Sequence, residues 1–377
     1  MRYLIAMDSF KGCLDADKVC DAAREGVMRI KGNEAVCLPL ADGGEGTAFA
    51  VCSALGGDLI NCPVTDPFGD PAEGYYGAIP HRGLAVIDTA SASSLALAKA
   101  GGGTILDAST YGTGLQIREI LDLGYRRITV GLGGSGTNDG GTGALSALGA
   151  VFRRADGTVI ERMCGGVLHE INTVDLSGLD PRLNETALSV MYDVDIPLLG
   201  DRGCSRNYSP QKGADSDTVE HLEVGMTAYA NAVKRSLGID PAAVKGAGAA
   251  GGLGFGLFLA GADPVNGAVH MLEICDFDSL AQNADVVITG EGRTDFQTAH
   301  GKLPVAVAAA AKRHGLPVIC VCGSADPVDA LYEAGIDGIF AIPNMPMTLA
   351  DSMEGAYGLI SDTCMNITGV ISSLRQS

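Results

Sequence analysis

Short apolar runs alternate with amphipathic stretches at both ends of the chain. Residues 2–7 and 35–40 have the length and composition of buried strands, and each run is followed by apolar residues at helical spacing. The last third repeats this pattern, with strand-like runs at residues 285–289 and 317–322. Strands that alternate with helices in this way predict βαβ units and a parallel sheet.

The middle of the chain has a different pattern. Beyond about residue 57 the strand-like pieces become shorter and are separated by turn residues, for example Asp-Pro-Phe-Gly at 66–69. We therefore predict an α/β protein with a discontinuous doubly wound domain, residues 1–65 and 282–377, and a second, mixed α/β domain inserted at residues 66–281.

A dense glycine segment connects an apolar run to a helix-like run near the centre of the chain. Residues 128–130 are apolar or β-branched, residues 131–143 are rich in glycine, and residues 144–148 are small or apolar. Strand, glycine turn and helix together can direct backbone N–H groups and a helix N-terminus at an anion. The spacing G-x-G-x-x-G occurs at 131–136 but also at 246–251, so the spacing alone is weak and a simple packing turn is the alternative.

Acidic residues follow five of the predicted strands. They are Asp8, Asp42 with Glu45, Asp139, Asp193 with Asp195, and Glu291 with Asp295. Any single one could cap the next helix, but their repeated position beside glycine favours ligand-binding loops. Carboxylates without histidine or cysteine suit a hard cation such as Mg²⁺.

The overall charge restricts the partners. The formal net charge is −19, which makes nucleic acid and anionic membranes unfavourable partners. An anionic substrate would then need a few local cations. The candidates that lie beside glycine or within polar motifs are Lys11, Lys212, Arg293 and Lys302.

The cysteines and the apolar content indicate a reduced globular protein. Hydrophobic residues make up 46% of the chain, which supports a well-filled core. The 11 cysteines form no C-x-x-C pair, and no apolar run is long enough to span a bilayer. We expect free thiols, a cytoplasmic location and no membrane partner. The histidines show no zinc-binding spacing, and no Walker motif is present.

Three classes of function fit these features to different degrees. Phosphoryl transfer needs bound phosphates, a metal ion, a cation and a carboxylate that takes a proton, and the chain supplies such groups. A nicotinamide-dependent dehydrogenase using residues 131–136 would need an acid about 20 residues further on. Asp156 has that position but falls in a predicted turn. A non-catalytic ligand-binding module would not need so many carboxylates in its loops.

Six stretches resemble the bacterial glycerate kinase family of the glycerate 2-kinase type. They follow the family's order and span nearly the whole chain: Asp-Ser-Phe-Lys-Gly (8–12), Leu-Ala-Asp-Gly-Gly-Glu-Gly-Thr (40–47), the glycine segment (131–143), Pro-Gln-Lys-Gly-Ala (210–214), Gly-Ala-Gly-Ala-Ala-Gly-Gly (246–252), and Val-Ile-Thr-Gly-Glu-Gly-Arg-Thr-Asp-Phe-Gln-Thr (287–298) with Gly-Lys (301–302). The resemblance implies a flavodoxin-like domain with an inserted second α/β domain, ATP, a divalent metal and D-glycerate.

On this basis we expect ATP-dependent phosphorylation of D-glycerate at its C2 hydroxyl, in a cleft between the two domains. The alternatives are a glycerate 3-kinase or a kinase of a related hydroxy acid. The expected roles are catalysis by Lys11, Asp42 and Asp295; substrate binding by Asp8, Ser9, Arg293 and Gln297; nucleotide binding by Gly133, Gly134, Ser135, Asn138, Asp139 and Lys212; and Mg²⁺ binding by Asp193 and Glu291. The partners are small molecules, and the protein is a monomer or a homodimer.

Two places depart from the usual pattern of the family. Ile196 stands where the family usually has asparagine, and Tyr208-Ser209 stands where it usually has Phe-Gly. These changes bear on local contacts and on substrate preference, and they leave the other loops unchanged.

Overall fold

The structure, a computed structural model, describes residues 1–193, 195–296, 298–326 and 329–375. Its strands are β1 (Arg2–Met7), β2 (Glu34–Pro39), β3 (Asp58–Thr65), β4 (Pro71–Ile79), β5 (Leu84–Asp88), β6 (Arg127–Gly131), β7 (Val151–Arg153), β8 (Thr173–Asp175), β9 (Ala187–Tyr192), β10 (Asp263–Asn266), β11 (Val286–Thr294), β12 (Val318–Ala325) and β13 (Gly338–Ala341).

Helices connect most of these strands, as the alternating pattern predicts. They are α1 (Ala16–Met28), α2 (Thr47–Leu55), α3 (Ala90–Ser93), α4 (Leu95–Ala100), α5 (Tyr111–Asp122), α6 (Thr142–Ala147), α7 (Cys204–Tyr208), α8 (Ser216–Leu237), α9 (Ala249–Leu259), α10 (Gly267–Ile274), α11 (Phe277–Ala281), α12 (Leu303–Arg313), α13 (Asp329–Glu333), α14 (Leu349–Glu354) and α15 (Ala356–Leu374). In the part of the chain that is described, no helix combines the length and hydropathy needed to cross a bilayer.

The chain divides into two compact units. Unit 1 comprises Met1–Asp42, Phe49–Gly56 and Gly267–Ser377, and unit 2 comprises Gly43–Ala48 and Gly57–Asn266. Strand β3 thus lies in unit 2, and helices α10 and α11 lie in unit 1. The domain boundaries expected near residues 65 and 282 stay a prediction.

Unit 1 contains a five-stranded parallel sheet in the order β13-β12-β11-β1-β2. Met7 lies opposite Gly290 on one side and Pro39 on the other, so the carboxyl ends of β11, β1 and β2 meet at one edge. The strand order reverses between β1 and β11. Open parallel sheets bind ligands beside the carboxyl ends of the strands at such a reversal.

Both faces of this sheet are covered by helices. Side chains alternate along a strand, and Tyr3, Ile5 and Met7 join a buried apolar cluster with α1 and α15. Leu4 and Ala6 point to the opposite face, where α12 packs against β11, β12 and β1. The β1 end is therefore held rigidly between two helical layers.

Strand β11 is longer than the sequence indicates. A strand over 285–289 with a loop at 290–295 is expected, but pairing with β12 continues through Glu291 to Thr294. A Cβ added at Gly290 would lie 1.9 Å from the carbonyl oxygen of Val321, so this glycine permits close pairing of the two strands. Glu291 and Arg293 are consequently fixed on a strand and face the same side.

Unit 2 contains a mixed six-stranded sheet in the order β10-β9-β6-β5-β4-β3. Strands β10, β9, β6 and β5 run parallel to one another, whereas β4 pairs antiparallel with both β5 and β3. A separate antiparallel pair is formed by β7 and β8. The predicted strand, glycine turn and helix over 128–148 are confirmed as β6, a loop and the short helix α6.

Candidate functional site

A cavity of about 530 Å³ opens in unit 1 at the carboxyl ends of β1, β2 and β11. We call it the carboxylate pocket. Its polar lining includes the sequence-predicted residues Asp8, Ser9, Lys11, Asp42, Glu291, Arg293 and Asp295, together with Lys302. Three distant segments of the chain thus contribute to one cavity. Gln297, predicted to bind substrate, lies outside the described residues.

Asp8 is a buried carboxylate of the pocket whose ionised form is disfavoured. It is 6% exposed and accepts a hydrogen bond of 2.6 Å from the backbone N–H of Ser9. Burial and, to a smaller extent, the nearby charge of Asp42 raise the pKa of Asp8 to about 7, although Lys11 opposes both effects. Asp8 therefore favours a proton or a cation beside it at neutral pH.

Lys11 provides a positive charge close to Asp8 and Asp42. Its Nζ lies 3.6 Å from Oδ2 of the buried Asp42, and the lysine side chain is 69% exposed. Because solvent screens the exposed ammonium, a pair of this kind contributes little to stability. The Lys11 ammonium is therefore a solvent-exposed cation beside a buried acid.

Glu291 is fixed by a residue that the sequence analysis did not select. The fully buried Thr298 donates a hydrogen bond of 2.6 Å from Oγ1 to Oε1 of Glu291. Burial raises the pKa of Glu291, and Lys302 opposes this shift. Thr298 also accepts from the backbone N–H of Asp295 at 3.1 Å. A threonine three residues after an aspartate was the only sequence signal for this contact.

Arg293 and Asp295 form an ion-pair group at the exposed side of the pocket. Nη2 of Arg293 lies 2.9 Å from Oδ2 of Asp326, and its Nε lies 3.8 Å from Oδ2 of Asp295. Arg293 thus has two carboxylate partners within unit 1. A ligand carboxylate bound by Arg293, as predicted, would replace one of these partners.

The glycine loop, residues 131–143 of unit 2, uses several glycines for packing. A Cβ added at Gly131 would lie 2.8 Å from the carbonyl oxygen of Gly43, and one at Gly133 would lie 2.4 Å from Cα of Gly44. These two glycines allow the 43–46 segment to lie directly on the loop. The G-x-G-x-x-G spacing therefore reflects this contact between two backbones, which weakens the dehydrogenase alternative.

The N-terminus of α6 already holds an acid of the chain itself. Asp139 is fully buried and accepts from Thr110 N and Thr110 Oγ1, each at 2.8 Å, and from Gly141 N and Gly143 N, each at 3.1 Å. The donors at the start of this helix are therefore bound to a carboxylate of the chain itself, and the expected binding of a nucleotide here stays a prediction. Burial raises the pKa of Asp139, but its four donors stabilise the carboxylate.

Unpaired backbone donors occur earlier in the loop. Within the described residues, the N–H groups of Gly133, Gly134 and Ser135 have no hydrogen-bond acceptor. Gly134 is exposed and has a φ of +71°, which favours glycine. Successive N–H groups in such a turn form a concave anion-binding site. This arc of three donors is the part of the loop that can bind an anion.

Lys212 adds positive charge beside this arc. Its Nζ donates to Oγ of Ser135 at 3.0 Å and to the carbonyl oxygen of Thr137 at 2.7 Å. The residue as a whole is partly exposed, but its ammonium lies among protein atoms, and this burial lowers the pKa of Lys212 to about 8. Lys212 thus orients the loop through its two hydrogen bonds.

Asn138 lies within the same unit but deeper in the protein. It is fully buried, and its Nδ2 donates to Oγ of Ser205 at 3.1 Å. Of the two departures from the family pattern, Ile196 joins the apolar core of unit 2, so an aliphatic side chain is accommodated there. The hydroxyl of Ser209 is buried without a partner in the described residues, and nothing in the structure explains this substitution.

Asp88 is a positioning residue that the sequence analysis missed. Burial raises its pKa to about 6, and its carboxylate accepts from Gly46 N at 3.1 Å, Ala48 N at 3.0 Å and the Tyr75 hydroxyl at 3.3 Å. It thereby fixes the segment that packs on Gly131. The available signal was its place at the end of an apolar run, as for the other acids.

The two predicted metal ligands lie in different units. Asp193 is exposed just after β9, and Glu291 lines the carboxylate pocket. Among the residues described, no group of three or more His, Cys, Asp or Glu side chains is arranged to hold a metal ion. Proteins often bind Mg²⁺ through one or two carboxylates while water and substrate phosphates complete the shell, and the assignment of Asp193 and Glu291 as its ligands stays a prediction.

Comparison with known proteins gives one consistent result. The chain matches the glycerate kinase family over residues 3–372. It is 41% identical to a glycerate kinase of Halalkalibacterium halodurans, covering 99% of both chains, and 38% identical to the glycerate 2-kinase of Escherichia coli, covering 98% of both.

A solved structure agrees with the sequence comparisons. A crystal structure from Salmonella typhimurium LT2, provisionally described as glycerate kinase 2, has 37% identity, a TM-score of 0.89 and complete coverage of both chains. The chain therefore belongs to the glycerate kinase family and is an enzyme, a phosphotransferase with an alcohol group as acceptor.

Proposed function

We propose that the protein transfers the γ-phosphoryl group of ATP to the C2 hydroxyl of D-glycerate, giving 2-phospho-D-glycerate and ADP. The proposal takes the acceptor from the family and the position of transfer from the relative in Escherichia coli that is called a glycerate 2-kinase. Phosphorylation of the C3 hydroxyl, or of a related hydroxy acid, is the alternative.

The observation that carries the proposal is the composition of the carboxylate pocket. Four carboxylates and three cations line one cavity: Asp8, Asp42, Glu291, Asp295, Lys11, Arg293 and Lys302. Phosphoryl transfer depends on positioning and on charge stabilisation, and it needs both signs of charge at one place. Cations bind phosphate oxygens, while carboxylates take up a proton or hold a metal ion.

We assign the following roles within the pocket. The Lys11 ammonium neutralises charge on the transferring phosphoryl group, since it is exposed and lies beside buried acids. Asp42 or Asp295 accepts the proton of the attacking hydroxyl. Thr298 acts as a positioning residue, because its hydrogen bond fixes the orientation of the Glu291 carboxylate.

The donor set fits Mg²⁺ bound to a nucleotide. Glu291, with Asp193 as the second proposed ligand, offers the oxygen atoms that Mg²⁺ prefers. When bound, the ion would supply positive charge that bridges the phosphates. The raised pKa of Glu291 shows that burial disfavours its ionised form, and a nearby cation would favour ionisation again.

Two further features support a flavodoxin-like fold for unit 1 and a cytoplasmic location. Numbered within unit 1 alone, the strand order is 2-1-3-4-5, which supports a flavodoxin-like sheet. All 11 cysteines are free thiols, which supports a cytoplasmic location.

The test is a coupled assay with D-glycerate and ATP, followed by NMR of the product. We expect release of ADP that depends on both substrates, and a phosphorus-coupled signal at the C2 proton. Coupling at the C3 protons would establish the 3-kinase instead. Absence of turnover with ATP, together with oxidation of D-glycerate by a nicotinamide cofactor, would reject the kinase.

A further inference from the structure

The carboxylate pocket is not lined by charged residues alone. Six apolar residues, which we call the apolar wall, also line it: Phe10, Cys13, Ile342, Leu349, Met353 and Ala356. A three-carbon acid such as glycerate has almost no apolar surface that could cover such a wall. A cavity of about 530 Å³ is instead in the range of about 300–1,000 Å³ that takes a drug-sized ligand.

Part of the apolar wall is exposed to solvent. Leu349 is 77% exposed and Met353 is 37% exposed, and both belong to the short helix α14. The thiol of Cys13 donates to the carbonyl oxygen of Met353 at 3.2 Å, so the loop after β1 and α14 are directly connected. A flat aromatic ring against Met353 would cover apolar surface and make favourable sulfur–aromatic contacts.

The glycine loop has the opposite character. It offers three unpaired N–H groups, the Ser135 hydroxyl and the Lys212 ammonium, all polar. Its glycines at 131 and 133 are explained by packing on the 43–46 segment and do not require a nucleotide. An arc of this kind suits one small anionic group such as a carboxylate.

From this difference we infer that the whole nucleotide binds in the carboxylate pocket of unit 1, with its adenine ring on the apolar wall and its phosphates on the cations. The carboxylate of the acceptor acid binds to the N–H arc at Gly133–Ser135. This reverses the division expected from sequence, in which the glycine loop holds the phosphates and Asp8, Ser9 and Arg293 hold the acid. The inference rests on the proposed function.

The charges of the pocket agree with this division. The acceptor acid is a monoanion, and a site with four carboxylates repels it unless most of its binding energy comes from cations. A nucleotide bound with Mg²⁺ presents a cation to the acids and phosphates to Lys11, Arg293 and Lys302. Both signs of charge in the pocket then have a partner.

The test compares two variants of the apolar wall with a matched control in the full-length protein. Met353→Glu and Leu349→Glu each remove an exposed apolar contact, and neither residue is part of the core. We expect the Kd for ADP, measured calorimetrically, to rise about tenfold, with the KM for D-glycerate unchanged. Met345→Glu changes an exposed methionine outside the pocket lining and should alter neither constant.

A second measurement locates the base directly. Photolysis of the wild-type protein with 8-azido-ADP should label a peptide within residues 342–356. Labelling within residues 131–143 would overturn the inference, and so would wall variants that raise the KM for D-glycerate while ADP binding stays unchanged. Ser135→Ala should show the reciprocal result, a higher KM for D-glycerate with normal ADP binding.

Failure of the proposed function is distinguishable from failure of this inference. If the wild-type protein neither binds ADP nor phosphorylates D-glycerate with ATP, the proposed function is wrong. If both activities are present but Met353→Glu and Leu349→Glu behave like the Met345→Glu control, only the location of the nucleotide is wrong.

Discussion

The carboxylate pocket and the glycine loop both contain buried acids, but the two regions stabilise them differently. In the glycine loop, Asp139 accepts four hydrogen bonds from Thr110, Gly141 and Gly143. In the pocket, Asp8 accepts one from Ser9 and faces other acids. Burial raises the pKa of both residues, so a raised pKa alone does not separate them.

The number of donors around each acid makes the distinction. A buried carboxylate with four donors is stable in its ionised form and holds the surrounding backbone. A buried carboxylate with one donor and acidic neighbours is stable only after it gains a proton or a cation. We therefore interpret Asp139 as a structural residue of unit 2 and Asp8 as part of a site that binds a charged ligand.

The largest expected effect concerns the cation of the pocket. Lys11→Ala should lower kcat on the order of 10³-fold, because the transition state loses the charge stabilisation of the exposed ammonium beside Asp42. The measurement is steady-state kinetics with both substrates saturating. Lys18→Ala, at an exposed position of α1, is the control. A change in KM alone would mean that Lys11 binds the ground state only.

The next effect tests the structural side of the comparison. Asp139→Asn should lower the free energy of unfolding by about 3 kcal/mol, because an amide nitrogen would face backbone donors in a buried site. Urea denaturation measures this loss. Asp217→Asn, at an exposed position in the first turn of α8, should change stability by less than about 0.5 kcal/mol. If Asp139→Asn is equally harmless, the donor-count argument is wrong.

Asp8→Asn should raise the free energy of unfolding, whereas Asp139→Asn lowers it. The pKa of Asp8 is raised from 3.8 to about 7 in the folded state. Between these pH values the folded state binds more protons than the unfolded state, so the protein loses stability as the pH rises from about 4 to about 7. The variant removes this loss, and we expect a gain on the order of 2 kcal/mol at pH 8 that is absent at pH 4. Activity should fall at the same time. Thermal unfolding at the two pH values checks the gain, and destabilisation at pH 8 would contradict it.

The smallest effect is a change in pH profile. Because the pKa of Lys212 is lowered to about 8, its ammonium loses its charge above that pH, and its hydrogen bonds to Ser135 and Thr137 become weaker. Activity should therefore fall above about pH 8. Asp139 and Cys204 are the charged or titratable groups that oppose this shift.

Lys212→Arg tests this dependence, since a guanidinium stays protonated. At pH 9 the wild-type kcat/KM for D-glycerate should lie about tenfold below its plateau, whereas the variant should show no such fall. Lys234→Arg, an exposed lysine of α8 paired with Asp240, serves as the control. An identical decline in both variants would assign the titration to another group.

The sequence was sufficient for the arrangement of elements at the ends of the chain and for the members of the pocket. Parallel strands place their carboxyl ends at one edge, so acids after 2–7, 35–40 and 285–289 could be expected to meet. Asp8, Asp42 and Glu291 do so. This part depends only on local periodicity and on the geometry of parallel sheets.

The sequence was not sufficient where contacts between distant backbones decide the structure. The glycines at 131 and 133 pack on 43 and 44, and Gly290 lies against Val321, none of which a glycine spacing can reveal. Asp88 bonds to backbone groups 40 residues or more away. The apolar wall combines residues that follow β1 and β13 with residues of α14 and α15, so no sequence motif could reveal it.

The contact of Gly131 and Gly133 with Gly43 and Gly44 also has a consequence for protein engineering. Two chain segments whose backbones touch tolerate no larger residue at the contact, because even one methyl group would push them apart. If the acceptor acid binds at Ser135, as we infer, attempts to broaden the range of acceptor acids are better directed at Ser135 and its surroundings than at this contact between backbones. The glycines set the shortest possible distance between the two segments. A substitution in one segment would therefore need a compensating change in the other.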